Sequence, residues 1–276
     1  MVIGRRYREG DLLGQAALIT GANSGIGRSI ALALASAGAD IVINYKANRP
    51  AADALVRDIA SMGQRAIAIE ADVGEEDDVG RLFKTAMEYL GTLHILVTNA
   101  GIEFGAPFSE MTLGQWESVV KTNLTGQFLC MREAAREFLR RGVDPKLSVA
   151  AGKIVCISSV HQDIPRIGHA NYASSKAGVM MLMRSAAREL APQKIRINAI
   201  APGAVKTEMN RHAWESPRAY ERLCEIVPYG RIGCPDEIGQ AALWLCSEAA
   251  DYVTGTTLRV DGGLSLSLSS EENIRN

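Results

Sequence analysis

The stretch Thr20-Gly21-Ala22-Asn23-Ser24-Gly25-Ile26-Gly27 decides the fold that this sequence predicts. It follows a short apolar run, and a segment with helical spacing begins inside it at residue 26. Glycines at a strand-to-helix junction permit a tight turn and let the backbone approach a pyrophosphate, whose charge is stabilised by free N–H groups and by the helix dipole. The stretch therefore predicts a dinucleotide-binding turn, with a glycine-rich turn that binds nothing as the alternative. The candidate pyrophosphate contacts are Gly21, Asn23, Ser24, Gly25, Ile26 and Gly27.

Strands and helices alternate along the rest of the chain. Apolar runs rich in β-formers predict seven strands, at residues 17–20, 41–44, 66–70, 95–99, 153–158, 195–200 and 257–260. Helical spacing predicts helices at residues 26–37, 51–62, 76–90, 116–140, 176–190 and 236–245. Strands that are apolar along most of their length are typical of parallel sheets covered on both faces. We therefore predict an α/β fold, a doubly wound seven-stranded parallel sheet of the Rossmann type, in a single domain over residues 1–276, with its chemistry at the carboxyl ends of the strands.

Composition excludes several classes of function. The chain has 276 residues and a formal net charge of -1, so it lacks the basic field of a protein that binds nucleic acid or an anionic membrane. Since no apolar run is long enough for a secretory signal or a membrane span, we expect a cytoplasmic protein. The five cysteines are scattered and form no C-x-x-C pair, which argues against a disulfide framework or a metal site.

Three segments depart from the alternation. Residues 1–11 are expected to form a flexible amino-terminal arm, and residues 264–276 a polar carboxyl-terminal tail. Residues 205–227 show no clear strand and are predicted to form a mobile lid beside the site.

The end of the second strand predicts the choice of cofactor. A dinucleotide fold specific for NAD usually places an acid there, on the ribose 2′-hydroxyl, whereas this chain has Tyr45 and Lys46. Because Lys46 can pair with a 2′-phosphate, NADP is expected to bind as well as NAD and to be preferred. A lysine that only faces water is the alternative.

Two further strand ends are candidate contacts of the adenosine half of the cofactor. Asp72, with Val73, follows the third strand and suits the adenine edge, with a helix N-cap as the alternative for Asp72. Asn99, Ala100 and Gly101 follow the fourth strand and suit close packing over the adenosine.

The pair Tyr172 and Lys176 is the strongest catalytic signal. A spacing of four places the phenol and the ammonium on one face of a helix, where a lysine cation could lower the pKa of the phenol. An amphipathic surface pair is the alternative, but Ser159 stands at a strand end where its hydroxyl could meet the same substrate oxygen. Asn123 lies inside a long helical segment, and a mid-helix asparagine indicates a kink or a bound water.

These motifs, in this order and spacing, resemble those of the short-chain dehydrogenase/reductase family. The resemblance covers residues 12–263 and includes T-G-x-x-x-G-x-G, N-A-G, a catalytic Asn, a catalytic Ser and Y-x-x-x-K. It implies hydride transfer between a nicotinamide and an alcohol or carbonyl, with Tyr172 as general acid/base and Ser159 orienting the substrate oxygen. It further implies that Lys176 binds the nicotinamide ribose and lowers the tyrosine pKa, and that Asn123 holds a water. The nicotinamide carboxamide and pyrophosphate would be held by Pro202, Gly203, Val205 and Thr207.

A closer resemblance, to bacterial glucose 1-dehydrogenases, suggests the substrate. It rests on the segments at residues 99–103, 122–126, 158–161 and 252–257. It implies oxidation of β-D-glucose to the lactone, with Glu103 and His161 as substrate contacts beside Ser159 and Tyr172. A surface or subunit-contact charge is the alternative for Glu103, and a satisfied loop histidine for His161.

Two other functions remain open at this stage. A reductase of 3-oxoacyl thioesters shares every motif, and it would need a basic footprint for a carrier protein, to which Arg211, Arg218 and Arg222 of the lid could contribute. A non-catalytic NADP-binding scaffold or redox sensor is the more distant alternative, because all four catalytic side chains are present. The family further implies a homotetramer built on the long helices and the last strand.

Overall fold

The computed structural model describes residues 11–267 of the chain. Its seven strands form one sheet in the order β3-β2-β1-β4-β5-β6-β7, and every neighbouring pair is parallel. The strands are β1 (Ala16–Ile19), β2 (Asp40–Tyr45), β3 (Ala66–Glu70), β4 (Ile95–Thr98), β5 (Gly152–Ile157), β6 (Ile195–Pro202) and β7 (Thr257–Val260). The predicted doubly wound parallel sheet is thereby confirmed.

Helices cover both faces of this sheet. They are α1 (Gly25–Ser36), α2 (Arg49–Ser61), α3 (Glu76–Leu90), α4 (Leu113–Val120), α5 (Gly126–Arg141), α6 (Ala170–Leu190), α7 (Pro217–Ile226), α8 (Pro235–Cys246) and α9 (Leu264–Ser267). Within residues 11–267, none of them combines the length and the apolar character needed to cross a membrane.

Each face of the sheet has its own hydrophobic core, because successive side chains of a strand point to opposite faces. Ile19 and Ile43 pack on one face with α1, α2 and α8, whereas Leu18 and Val42 pack on the other with α3, α5 and α6. Gly152 of β5 lets a helix approach closely, since a Cβ there would lie 2.0 Å from Cδ2 of Phe138. Both cores hold the strand ends in place and so fix the edge where the loops converge.

The structure corrects one predicted helix and adds detail to two other segments. The helix predicted at residues 116–140 is two helices, α4 and α5, joined by a π-helical turn at Lys121–Thr125. The segment at residues 205–227, predicted as a lid without a clear strand, contains a 3-10 turn at Glu208–Ala213 and helix α7, whose start is capped by Ser216 and followed by a proline at the first helical position.

The predicted tail begins as helix α9, and Leu264 is buried with Val160 and Val227. Its remainder, and residues 1–10 of the predicted arm, lie outside the described residues.

Candidate active site

The glycine-rich turn after β1 is clamped from the neighbouring strand. Thr20 Oγ1 accepts hydrogen bonds from the backbone N–H groups of Asn99 at 2.9 Å and Ala100 at 3.0 Å. Asn99 Nδ2 donates back to the carbonyl oxygens of Thr20 and Gly21, both at 3.0 Å. These hydrogen bonds join the ends of β1 and β4, and Asn99 holds the glycine-rich turn in place.

The glycines of the turn leave room for a ligand. Gly21 and Gly25 have φ values of 59° and 52°, in the left-handed region that favours glycine. A Cβ on Gly27 would lie 2.5 Å from both Asn99 Nδ2 and the carbonyl oxygen of Gly21. Helix α1 starts at Gly25 with no side-chain cap from Ser24 and no acidic residue in its first turn. This uncapped, unscreened amino end fits the pyrophosphate of a dinucleotide.

Asn44 holds the turn from the other side, and sequence reasoning did not assign it a role. Its Oδ1 accepts from the N–H of Gly21 at 3.2 Å and its Nδ2 donates to the carbonyl of Ala71 at 3.0 Å. Asn23 extends this support by donating to the carbonyl of Ala47 at 2.7 Å. An asparagine inside an otherwise apolar strand was the available signal, because a buried amide must find partners.

The predicted ribose and adenine contacts occupy one edge of this region. Lys46 Nζ lies 2.7 Å from Asp72 Oδ2, and Asp72 Oδ1 accepts from the N–H of Gly74 at 2.9 Å. Burial opposes ionisation of Asp72, but these contacts with Lys46 and Gly74 hold its pKa below the usual value. Asp72 is not the N-cap of α3, a position held by Glu75.

Tyr45 and Val73 have side chains turned into the protein. The ring of Tyr45 is buried in one hydrophobic core and the side chain of Val73 in the other. A Cβ on Gly126 would lie 2.8 Å from Cγ2 of Val73, so Val73 is packed directly against the start of α5.

The side chains predicted to carry the chemistry meet at the carboxyl edge of β4 and β5. Lys176 Nζ lies 5.5 Å from the ring centroid of Tyr172 and donates to the carbonyl of Ile157 at 3.0 Å. Ser159 follows β5, shares a hydrogen bond with Tyr172, and accepts at Oγ from the N–H of His161 at 3.2 Å. The structure therefore brings together residues from β5 and α6.

Asn123 lies in the π-helical turn and reaches the segment after β4. Its Oδ1 accepts from the N–H of Ile102 at 2.8 Å, and its Nδ2 donates to the carbonyl of Ile102 at 2.9 Å. Nδ2 also lies 3.3 Å from Oγ of Ser175, on the helix that carries the tyrosine. The extra residue of a π turn widens the helix locally, which explains how a mid-helix amide can bridge two elements.

The pKa of Tyr172 is raised in this structure, whereas the family resemblance implied that Lys176 lowers it. Burial raises the pKa of Tyr172 to about 12, and the hydrogen bond with Ser159 only opposes this shift. Burial also lowers the pKa of Lys176 to about 8. Desolvation penalises both charged forms, so in the chain itself it outweighs any attraction between ammonium and phenolate.

Charged and polar side chains, here called the substrate wall, lie beside Tyr172; they are Glu103, His161, Arg166 and His169. Glu103 Oε1 lies 2.7 Å from Nη1 of Arg166 and 3.0 Å from Nε2 of His169. The charges of Glu103 and Arg166 both act on the pKa values of Tyr172 and His161, which places the predicted substrate residues within electrostatic reach of the phenol. Sequence reasoning missed Arg166 and His169, since an isolated arginine or histidine in a loop gives no pairing signal.

The lid segment at residues 205–227 begins in contact with the glycine-rich turn at residues 20–27, here called the cofactor cradle. A Cβ on Gly25 would lie 3.5 Å from Cγ2 of Thr207, and Thr207 Oγ1 donates to Oδ1 of Asn210 at 2.8 Å. Val205 bridges to Gly233. Pro202 ends β6, and Gly203 is required next to it because a Cβ would lie 2.7 Å from Cα of Asp261. These predicted nicotinamide-side residues therefore line one continuous segment.

No group of three or more His, Cys, Asp or Glu side chains suited to a metal ion occurs among residues 11–267. A dinucleotide cradle beside a tyrosine, serine, lysine and asparagine defines a nicotinamide-dependent dehydrogenase that acts on an alcohol or carbonyl group.

Comparisons with known proteins identify the family. The family described as "Enoyl-(Acyl carrier protein) reductase" matches residues 21–265. The chain is 41% identical to 3beta-hydroxysteroid dehydrogenase 1 of Eggerthella lenta, over 93% of this chain and 95% of that one. It is 38% identical to glucose 1-dehydrogenase 2 of Bacillus subtilis, over 93% and 96%. The protein belongs to the short-chain dehydrogenase/reductase family.

A solved relative shares the fold along nearly its whole length. The gluconate 5-dehydrogenase of Burkholderia cenocepacia, in complex with NADP and tartrate, superimposes with a TM-score of 0.84 at 38% identity. The match covers 92% of this chain and 96% of that one.

Proposed function

We propose that the protein oxidises the anomeric hydroxyl of an aldose, with conversion of β-D-glucose to the lactone as the leading reaction. The observation that carries this proposal is the polar wall beside Tyr172, formed by Glu103, His161, Arg166 and His169. A polyhydroxylated substrate needs several hydrogen-bonding partners around the reacting carbon, because each buried polar group left unpaired is costly. The Bacillus relative named glucose 1-dehydrogenase 2 supports the same choice.

Tyr172 is the proposed general acid/base, and Ser159 the residue that orients the reacting oxygen. In oxidation, the tyrosine takes the proton of the substrate hydroxyl while a hydride leaves the same carbon. A nicotinamide cofactor held by the turn at residues 20–27 and by Lys176 would supply the hydride acceptor. Because burial favours the protonated phenol, oxidation requires Tyr172 to lose its proton first, and the nearby ammonium of Lys176 favours that loss. Asn123 is proposed to hold a water on this proton path.

His161 suits the role of a second acceptor for substrate. Its Nδ1 lies 3.2 Å from the carbonyl of Ile164, which can only accept, so the proton of the neutral ring sits on Nδ1. Burial lowers the pKa of His161, which favours this neutral form. Nε2 then carries a lone pair, and the ring lies edge-on to Tyr172 with 6.3 Å between centroids.

NADP is the proposed preferred cofactor. The pyrophosphate would be held by the turn at residues 20–27, and the 2′-phosphate by Lys46. That phosphate would compete with Asp72, which pairs with Lys46 at 2.7 Å. Since the Lys46 side chain is 72% exposed, it is accessible to that phosphate.

Steady-state turnover tests the proposal directly. D-Glucose would be offered with NADP and with NAD, beside NADPH oxidation with an acetoacetyl thioester. Glucose oxidation without thioester reduction is the expected result. Thioester reduction without glucose oxidation would reject the sugar proposal and leave the family chemistry intact.

A second candidate, reduction of a 3-oxoacyl thioester, is favoured by one observation. Ile102, Phe104 and Ile167 are exposed apolar side chains in the same two loops as Glu103 and Arg166. They suit an acyl chain, and the matched family description names an acyl carrier protein reductase. Against it, Arg211 of the expected carrier footprint is neutralised by Glu208 and Glu215.

Assembly as a homotetramer and a cytoplasmic location are also proposed. The first rests on the family resemblance, and the second on the short apolar runs of the sequence. Elution in gel filtration at the volume of a 29.7 kDa monomer would contradict the first.

A further inference from the structure

Glu103, Arg166 and His169 form an ion cluster, here called the Glu103 cluster, on the substrate side of Tyr172. The arginine and histidine side chains both contact the same carboxylate oxygen, Oε1, at 2.7 Å for Arg166 and 3.0 Å for His169. The three side chains are 18%, 32% and 21% exposed, in the order Glu103, Arg166 and His169. Pairs that are partly withdrawn from solvent are less screened than surface ion pairs, so the carboxylate is held firmly.

Both ring nitrogens of the cluster histidine contact oxygen atoms. Its Nδ1 lies 3.0 Å from the carbonyl of Ile167 and its Nε2 lies 3.0 Å from Glu103 Oε1. Both partners are hydrogen-bond acceptors, and the two contacts fix the orientation of the His169 ring. No hydrogen bond to Oε2 of Glu103 is found among the described residues. Oε1 is therefore contacted by two side chains, whereas Oε2 can accept from a donor outside the cluster.

The backbone around the cluster is tied to the catalytic residues. Ala106 N–H donates to the carbonyl of Gly168 at 2.8 Å, and Asn171 Nδ2 donates to the carbonyl of Phe104 at 3.0 Å. A Cβ on Gly105 would lie 2.7 Å from His169 Nε2, so the two loops are in close contact. Since Ile102 is clamped by Asn123 and Asn171 precedes Tyr172, Glu103 has a fixed place relative to the phenol.

We propose that Arg166 and His169 are positioning residues that fix the Glu103 carboxylate as the acceptor for a second hydroxyl of the substrate. This contact sets the selectivity for polyhydroxylated substrates over analogues that lack that hydroxyl. It rests on the proposed sugar oxidation and adds the residues responsible for it. A substrate without the contacted hydroxyl leaves a partly buried carboxylate oxygen unpaired, and sites built on such contacts discriminate strongly.

The test compares D-glucose with its 2-, 3-, 4- and 6-deoxy analogues in the wild type and in variants. The readout is the ratio of kcat/KM for glucose to kcat/KM for each analogue, which cancels losses common to all substrates. In the wild type, at least one analogue is expected to be about tenfold or more poorer. In Glu103→Gln, Arg166→Gln and His169→Gln, that ratio is expected to fall towards one, with Arg166→Lys retaining most of it.

Arg65→Gln is the matched control. Arg65 pairs with Asp40, whose side chain is 19% exposed, at the start of β2 on the opposite edge of the sheet. Its discrimination ratio is expected to equal that of the wild type. If Arg166→Gln does not fold, His169→Gln and Arg166→Lys carry the same comparison.

The outcomes separate the two proposals. A wild type that oxidises glucose with discrimination, but shows the same ratio in Arg166→Gln and His169→Gln, overturns the positioning role and leaves the sugar proposal standing. A wild type that oxidises glucose and every deoxy analogue equally well also rejects the positioning role. A wild type inert towards all these sugars rejects the proposed function, and the positioning role falls with it.

Discussion

The cofactor cradle and the substrate wall lie at the same edge of the sheet but are built from different materials. The cradle consists of glycines, backbone N–H groups and three supporting amides, Asn23, Asn44 and Asn99. The wall consists of charged and titratable side chains from the loops after β4 and β5. A phosphate chain demands close approach of backbone and tolerates few side chains, whereas a substrate is selected by side chains placed one at a time. Substitutions that add atoms to the cradle should therefore weaken cofactor binding through steric clashes. Substitutions that remove charge from the wall should weaken substrate selection.

Loss of the tyrosine hydroxyl is the largest effect expected on the catalytic side. Tyr172→Phe keeps the ring and removes the proton donor, so kcat should fall by about 10³-fold, within the range typical of general acid–base catalysis. Cofactor affinity, measured by fluorescence titration with NADPH, should change little. Tyr252→Phe, which alters a fully exposed tyrosine, is the control. Unchanged turnover in Tyr172→Phe would reject the catalytic assignment.

The buried ammonium of Lys176 should make the free energy of unfolding depend on pH, whereas the cradle glycines carry no titratable group. Its folded-state pKa of about 8 lies below the usual 10.5, so the unfolded chain binds more protons between these values and the free energy of unfolding rises with pH across this window. The free energy of unfolding of the wild type minus that of Lys176→Met should increase by on the order of 3 kcal/mol from pH 7 to 10.5.

Denaturant unfolding at a series of pH values measures this difference. Tyr172 titrates in both proteins and cancels in the subtraction. Lys146→Met, which alters an exposed lysine, is the control. A flat difference for Lys176→Met would mean that its ammonium is solvated in the folded chain.

The sequence predicts the cofactor cradle better than the substrate wall. The cradle and the Tyr172–Lys176 pair are local patterns, and their spacing alone predicts where they lie. The Glu103 cluster joins residues from two loops, and nothing near Glu103 in the sequence indicates that Arg166 will meet it. The π-helical turn at Asn123 was predicted only as a kink, since helical periodicity continues on both sides. The helix in the lid was missed because it is only ten residues long, starts at Pro217 and is followed by Pro228, a pattern that favours a loop in the sequence.

Gly27→Ala tests whether the close packing of the cradle is needed for cofactor binding, because it adds one methyl group and changes no charge. The added methyl group would lie 2.5 Å from Asn99 Nδ2 and from the carbonyl of Gly21, so the clamp between β1 and β4 must move. We expect a loss of about 1–3 kcal/mol in the free energy of unfolding, with NADP affinity weakened about tenfold or more. Thermal unfolding and fluorescence titration measure these two effects.

Gly80→Ala is the matched control for this substitution. Gly80 lies in α3, where a Cβ would meet nothing within 4 Å, and alanine should stabilise that helix by about 0.5–1 kcal/mol. Cofactor affinity equal to that of the wild type in Gly27→Ala would show that the pyrophosphate does not lie on this turn.

Lys46 is the cation predicted to contact the 2′-phosphate of the cofactor, and its effect should be the smallest. Removing its ammonium in Lys46→Ala should reduce the ratio of kcat/KM with NADP to kcat/KM with NAD by about tenfold, since the competing pair with Asp72 already offsets part of its attraction for a 2′-phosphate. Lys146→Ala, at an exposed lysine in the loop before β5, should leave the ratio unchanged. An unchanged ratio in Lys46→Ala would place the 2′-phosphate elsewhere, and the cradle would then bind its cofactor without any selective charge.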